Sequence, residues 1–487
     1  MERRRYLAVG ALLAVTAYVA GDVLDVVPGV LTRTPSAATS PSELPSPSLA
    51  PSLSGPLPTA VSSTTVAQPQ VAEPTMMPLA ALSSTAPLPS EAGMRAALGA
   101  ALADPALGPS VGIEVRDALT SSVLLSIDGN TPRAPASLTK ILSATAIASS
   151  ADLAERLPTR VVQGSSAQQI VLVAGGDTLL AAGDGNQSAV LGRAGMADLA
   201  SQVATQLESR QITRVNLAID ATFAAGPTVS AGWPRGDLKA GFVGPVTMMR
   251  LVSNRPGATA AADKDPIASA GTAFVAALRA RGIAVTGRVT REPARAGAPQ
   301  LGLVESATLG EQLEWALRES DNTLTETLAR RQAVRDGADP SFAGVAGWIT
   351  RRIGALGVST EGMSINDASG LTPGNRVPAA TIAAVLAIIA STDQPVARVR
   401  ATLPIAGLTG TLTDRFTAPA ARAGAGVVRA KTGTLTGVSA LAGTVVDAEG
   451  RLLVFSALAD RVPTAGTEAA RAALDRVSAV LAGCGCR

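Results

Sequence analysis

The sequence predicts an α+β protein, an antiparallel sheet covered by helices with an α/β domain inserted into it. Three observations carry that prediction. Near the start of the folded region, "VGIEVRD" and "SVLLSIDG" are apolar runs parted by a short polar turn, the pattern of a hairpin. Near the end, "GVVRAKTGTLTGVSALAGTVVDAEGRLLVFSALAD" reads as two or three further antiparallel strands. Between them lie strongly helical segments and one stretch of different texture, and helices segregated between sheet strands mark an α+β unit.

The elements follow in order. Glu2-Arg3-Arg4-Arg5 and the apolar run Leu7 to Ala20 form an export signal, cleaved after Val19-Ala20-Gly21 or retained as an anchor to Leu31. Residues 1–31 are thus expected to send the remainder out of the cytoplasm, and they are the chain's only expected membrane contact. Residues 32–89 are Pro, Ser, Thr and Ala with almost no charge, as in "SPSELPSPSLAPSLSGPLP". Such a segment buries too little apolar surface to fold and is expected as a disordered linker. "EAGMRAALGAALADPAL" has helical spacing, and "SLTKILSATAIASS" starts a helix at Ser137. Residues 157–262 alternate short strands such as "QIVLVAGGD" and "RVNLAID" with the helix "MADLASQVATQLESR", and are expected as the inserted domain. Residues 90–156 and 263–483 form the main domain. There "TAFVAALRARGIAVTGRVT" is helix then strand. "LGEQLEWALRESDNTLTETLARRQA" and "AATIAAVLAIIAST" are helical, and "TEAARAALDRVSAVLAG" closes the fold as a helix.

Composition narrows the chemistry. The 487 residues contain no histidine, which removes Ser-His-Asp triads, Cys-His dyads and histidine-ligated metals. Hydrolysis in this chain needs another base, and lysine is the natural candidate. A net charge of +3 without a basic block excludes a nucleic-acid binder. No metal site and no cofactor is expected. Cys484 and Cys486 stand one residue apart, a spacing that strains a disulfide, and are expected as tail thiols.

Lysine occurs only at Lys140, Lys239, Lys264 and Lys431, and the other 37 of the 41 basic residues are arginine. Two of these lysines sit in motifs that handle acyl groups. In Ser137-Leu138-Thr139-Lys140, positions i and i+3 share a helix face, so hydroxyl and amine meet. Burial near a second lysine lowers the pKa of Lys140 and lets it accept the Ser137 proton. Lys431-Thr432-Gly433, followed by Thr434, is the most specific signal, with about 0.04 chance matches expected. On an edge strand it presents an ammonium and a hydroxyl to a cleft, and Gly433 admits a substrate backbone. The amide of Thr434 donates to a developing oxyanion. Ser320-Asp321-Asn322 lies in a long helical segment and is preferred to the rival Ser364-Ile365-Asn366, which reads as strand or loop.

The order Ser-x-x-Lys, Ser-x-Asn, Lys-Thr-Gly matches the motifs of penicillin-binding proteins and β-lactamases. The chain resembles the D-alanyl-D-alanine carboxypeptidase/endopeptidase family, the class C low-molecular-mass penicillin-binding proteins, from about Glu91 to Gly483. Further segments carry the resemblance: "LVAGGDTLL" (172–180), "SDNTLTETLAR" (320–330), "NDASGLTPGNRV" (366–377), "LPIAGLTGTL" (403–412) and "KTGTLTGVSALAG" (431–443). The long gap between Ser137 and Ser320 fits a family with extra domains there. Thr178 departs from the proline usual at that position, and the insert is shorter than in the largest members.

The resemblance implies a β-lactamase/transpeptidase-like fold and a serine D-Ala-D-Ala carboxypeptidase, with or without endopeptidase action, working on peptidoglycan stem peptides in the cell envelope. Ser137 would be the nucleophile and Lys140 its base. Ser320 and Asn322 would relay the proton and hold the substrate amide. Lys431, with Thr432, would bind the terminal carboxylate or tune Lys140. The amides of Ser137 and Thr434 would form the oxyanion hole. β-Lactams would acylate Ser137 as well. Two other readings use the same motifs. A β-lactamase would need a dedicated glutamate near Ser-x-Asn, and no clear Glu-x-x-x-Asn segment occurs. An inactive peptidoglycan-binding scaffold would not need Ser137, Lys140, Ser320, Asn322 and Lys431 intact.

Overall fold

The computed structural model describes residues 83–254, 263–392, 394–463 and 466–487. The expected signal segment 1–31, and the expected linker as far as residue 82, lie outside the described residues. Among the described residues no single helix is long and apolar enough to cross a membrane.

In chain order, α1 spans Glu91–Leu102, β1 Val111–Asp117 and β2 Val123–Ile127. The 3-10 turn Ala136–Leu138 leads into α2, Thr139–Ala148. Next come β3 Arg156–Gln163, β4 Gln169–Val173, α3 Met196–Glu208, β5 Arg214–Asp220 and α4 Arg235–Lys239. They are followed by α5 Pro266–Ala280, β6 Ala284–Val285, β7 Thr290–Arg291 and β8 Gln300–Thr308. Then come α6 Leu309–Arg318, α7 Asn322–Arg335, α8 Phe342–Ala355, α9 Ala379–Ser391 and the short α10 Arg398–Ala401. Last are β9 Arg429–Leu435, β10 Val438–Val446, β11 Leu452–Ala459 and α11 Thr467–Ala482.

One sheet has the order β2-β1-β11-β10-β9, antiparallel at every joint. β10 is buried almost throughout and β11 nearly so, as the apolar runs "VSALAGTVV" and "LLVFSALA" require of strands covered on both faces. One face packs on α1 and α11 through Met94, Leu98, Leu474 and Val477. The other meets α2, α6, α7, α8 and α9 through Ile141, Leu313, Leu328, Ile349 and Leu386. The expected antiparallel sheet covered by helices is present.

The second sheet runs β6-β5-β4-β3-β8, with β7 also on β5. β4, β5, β6 and β7 pair in parallel, while β3 is antiparallel to both β4 and β8. Its strands bury Ile170, Leu172, Leu217 and Ile219 against Leu199, Val203 and Phe274 of α3 and α5. β8 closes this sheet on β3, so the sheet takes strands from beyond residue 262, the expected end of the insert. That pairing joins residues about 150 apart, which no local pattern displays.

Three further expectations change. The segment 83–89 is held against the folded domain. The Ser83 amide donates to the Gly450 carbonyl at 2.9 Å, and the Arg451 guanidinium donates to the carbonyls of Ser84 and Ala86 at 2.9 and 3.1 Å. The long helix through Ser320 is two helices. α6 begins with a capping box between Thr308 and Glu311 and ends at Arg318. α7 restarts with Asp321 as its cap, accepting from the Leu324 amide at 2.9 Å, so Asp stops one helix by starting another. Finally, the side chains of Cys484 and Cys486 are turned toward each other, their Cα atoms 5.0 Å apart, a span that a disulfide can bridge.

Candidate active site

The turn that carries Ser137 sits between two glycines. Ser137 is half-buried and follows Ala136, a non-glycine residue at φ +47°. A side chain on Gly370 (φ +83°) would strike the Ala136 carbonyl, and one on Gly433 would lie 2.7 Å from the Pro135 oxygen. The motif glycine on β9 thus admits the chain's own backbone. A side chain there would meet Pro135 and Ala136 of the Ser137 turn.

Lys140, on the first turn of α2, is fully buried. Its Nζ has three oxygen neighbours: Ser137 Oγ at 2.9 Å, Asn322 Oδ1 at 2.6 Å and the Ser369 carbonyl at 2.7 Å. The amide orientation of Asn322 is set by its Nδ2, which donates to the Phe242 carbonyl at 2.7 Å. Two of the three neighbours can only accept. A neutral amine gives its two hydrogens to them, and its lone pair then points at the Ser137 hydroxyl. Burial brings Lys140 down to about 7, against the opposing pull of Asp367 and Glu326. The like-charge effect expected on Lys140 falls on Lys431 instead. Its ammonium is driven well below its usual value by burial, then by Lys140 and Arg415.

β9 is the edge strand. The amide of Ala430 leaves the sheet and donates to the Pro404 carbonyl at 2.9 Å. By the two-residue period of a strand, the amides of Thr432 and Thr434 face that same edge. Lys431 is fully buried, and its Nζ donates to the Thr432 carbonyl at 3.0 Å. Thr432 Oγ1 donates to Thr411 Oγ1 at 2.9 Å. Ser320 lies in the break between α6 and α7 at φ +54°. It is half-buried, and its hydroxyl makes no hydrogen bond among the described residues. The structure therefore joins Ser137, Lys140 and Asn322 directly, while Ser320 stands in the turn that leads into Asn322. The rival Ser364 is on a bridge with Arg376, away from these contacts.

Several contributors escaped the sequence. One face of α7 carries Asn322, Glu326 and Arg330 at helical spacing, all turned into the protein. Glu326 holds the amides of Ala368 and Ser369. Asp367 accepts from Trp233 Nε1, the amides of Gly370 and Thr372, the Thr372 hydroxyl and Asn375 Nδ2. Arg330 stacks on Phe342, 4.8 Å from the ring centre, and donates to the Pro227 carbonyl at 2.7 Å. These contacts fold the insert's segment 227–246 into a wall of the site, with Trp233, Val243 and Val246 packed on Phe342 and Leu371. The one legible hint lay in "SDNTLTETLAR" and "NDASGLTPGNRV", which carry Glu326, Arg330 and Asp367 and were legible only as segments of the family resemblance. Among the described residues no group of three or more His, Cys, Asp or Glu is placed to hold a metal.

Comparison with known proteins agrees with this geometry. The profile of the D-Ala-D-Ala carboxypeptidase 3 (S13) family matches residues 94–264 and 251–481. The chain belongs to this family. It is 36% identical over 425 residues to carboxypeptidase DacB of Mycolicibacterium smegmatis, covering 86% of this chain and 89% of the relative. A carboxypeptidase of Mycobacterium tuberculosis is 35% identical over 413 residues, covering 83% and 87%. Penicillin-binding protein 4 of Haemophilus influenzae shares the fold of the family member described here. Its TM-score is 0.65 at 20% identity, over 79% of this chain and 97% of that one. That protein has also been solved with a β-lactam bound, matching with a TM-score of 0.58 at 20% identity over 78% and 97%.

Proposed function

We propose that this S13 family member is a serine D-Ala-D-Ala carboxypeptidase of the cell envelope that trims peptidoglycan stem peptides through an acyl-enzyme on Ser137. The observation that carries this reading is the environment of Lys140: buried, held near 7, and bonded to two obligate acceptors and the Ser137 hydroxyl. A lysine so placed is a base at neutral pH without histidine.

In this mechanism the neutral Lys140 amine takes the Ser137 proton as Oγ attacks the carbonyl carbon of the penultimate D-Ala. The oxyanion is received by the Ser137 amide and by the Thr434 amide on the open edge of β9. Lys431, with Thr432, docks the terminal carboxylate. Asn322 holds the substrate amide while fixing Lys140. Ser320, whose hydroxyl is uncommitted, hands its proton to the departing D-Ala nitrogen and takes in its place the proton that Lys140 received from Ser137, which returns Lys140 to its neutral form. Water then attacks the ester and restores Ser137. A β-lactam follows the same first steps with its ring amide in place of the peptide bond. Endopeptidase cleavage of cross-links requires only a longer leaving amine at the same centre.

The test uses a fluorescent penicillin, then a pentapeptide ending in D-Ala-D-Ala. Stable labelling that vanishes in Ser137→Ala, together with D-Ala release, is the expected result. Rapid penicillin turnover without D-Ala release would mark a β-lactamase. Absence of any labelling would sink the serine reading altogether.

A further inference from the structure

The Ala368–Ser369 peptide is gripped from both sides. Glu326 Oε1 accepts the Ala368 amide at 3.0 Å and the Ser369 amide at 2.8 Å. On the carbonyl side, Ala368 accepts from Ser143 Oγ at 2.6 Å and Ser369 accepts from Lys140 Nζ at 2.7 Å. Glu326 is 2% exposed and lies one helical turn from Asn322, the other acceptor of Lys140. Two residues on one face of α7 therefore place both oxygens that receive the Lys140 hydrogens, Asn322 directly and Glu326 through one peptide.

We propose that Glu326 is a positioning residue of the acylation step, orienting Lys140 by fixing the Ser369 carbonyl and by facing the amine with a carboxylate. The proposal rests on Ser137 being the nucleophile and Lys140 its base. The charged groups around Lys140 are Glu326 on α7, Asp367 in the turn after Asn366, and Lys431 on β9. Those around Glu326 are Lys140, Asp367 and Arg330. Burial and then Asp367 push the Glu326 carboxyl up to about 7, so it titrates in the same window as Lys140 and the two behave as a coupled pair. Asp367 keeps its own five donors whatever stands at 326, so the rest of the turn survives a substitution there.

The test is pre-steady-state acylation of the full chain by fluorescent penicillin between pH 5 and pH 9 or so, for wild type, Ser137→Ala, Glu326→Ala and Glu326→Gln. Glu326→Ala should slow limiting acylation about 10- to 100-fold, with little change in the half-saturating penicillin concentration, because the base is misaimed and the cleft is intact. Glu326→Gln keeps an oxygen for both amides and should recover most of the rate at high pH. It also removes an anion that favours the Lys140 ammonium, so the acid limb should move to lower pH by about one unit. Wild-type acylation by folded Glu326→Ala would overturn the proposal. So would an acid limb in Glu326→Gln that stays put or moves up, and this second reading decides alone if the alanine variant does not fold. Failure of the wild type to label would remove the serine reading itself, and this inference with it.

Discussion

A neutral amine at position 140 needs two acceptors for its hydrogens and a hydroxyl for its lone pair, and the three oxygens around Nζ meet that need. Arginine cannot supply such a lone pair, because its guanidinium stays charged. Lys140→Arg should therefore cut penicillin labelling about 100- to 10,000-fold, the contribution of a positioned base. Lys431→Arg keeps a cation in the carboxylate-docking place and should retain a measurable fraction. Equal labelling by wild type and Lys140→Arg would refute the assignment. The pH dependence has a definite sign. Burial holds Lys140 at about 7, so its basic form is lost as pH falls through that value, and acylation should fall with it. A rate flat from pH 5 to pH 8, or about that span, would contradict a lysine base. At this scale the sequence was largely legible. Scarcity of lysine singled out Lys140 and Lys431, and the Ser-x-x-Lys spacing brought Ser137 to Lys140. Glu326 and Asp367 were not legible, because an isolated carboxylate in a polar segment looks the same whether it faces water or a buried amine.

Among the elements, β9 and α7 decide the site. β9 approaches the Ser137 turn closely enough that Gly433 has no room for a side chain. Gly433→Ala must push the strand from Pro135 and Ala136. It should cost about 1–3 kcal/mol of stability, the usual penalty of overpacking, and should slow acylation as Thr434 moves from the oxyanion. Thermal denaturation with penicillin labelling checks both, and a variant matching wild type in each would show that the contact yields freely. α7 is the instructive case for prediction. Its sequence, "NTLTETLARRQAVR", is polar enough to pass for a surface helix, yet every residue from Thr323 to Ala333 is buried. Local pattern sees polarity, whereas burial depends on what the rest of the chain stacks against it. The break before α7 was hidden for a similar reason. Ser320 at φ +54° is a conformation that neighbours impose, not one that serine prefers.

Over the whole molecule, one arginine ties the described N-terminal residues to the sheet, beside the bond from Ser83 to Gly450. Arg451 meets Asp117 through two contacts of 2.6 and 2.8 Å, both side chains being almost fully buried. It also binds the carbonyls of Ser84 and Ala86. Arg451→Met would strand a buried carboxylate, at a cost of about 3 kcal/mol. The low end of the usual range applies because the amide and hydroxyl of Thr120 still donate to Asp117. Urea denaturation measures it, and a loss below about 0.5 kcal/mol, typical of a surface change, would mean the pair does not anchor the segment.

Sequence alone determined the chemistry and the class of fold: the three motifs, the absence of histidine, the hairpin, the closing strands and most helices. These follow from short-range facts, namely residue type, spacing and apolar period. Tertiary structure alone decided that β8 joins the sheet of β3, that residues 83–89 pack on the folded domain, that α6 and α7 part at Ser320, and that the segment 227–246 walls the site. Each of these depends on pairing between residues far apart in the chain, β3 with β8, Gly450 with Ser83, Arg330 with Pro227. Such pairings are selected by the burial of the whole core, which no window of sequence contains.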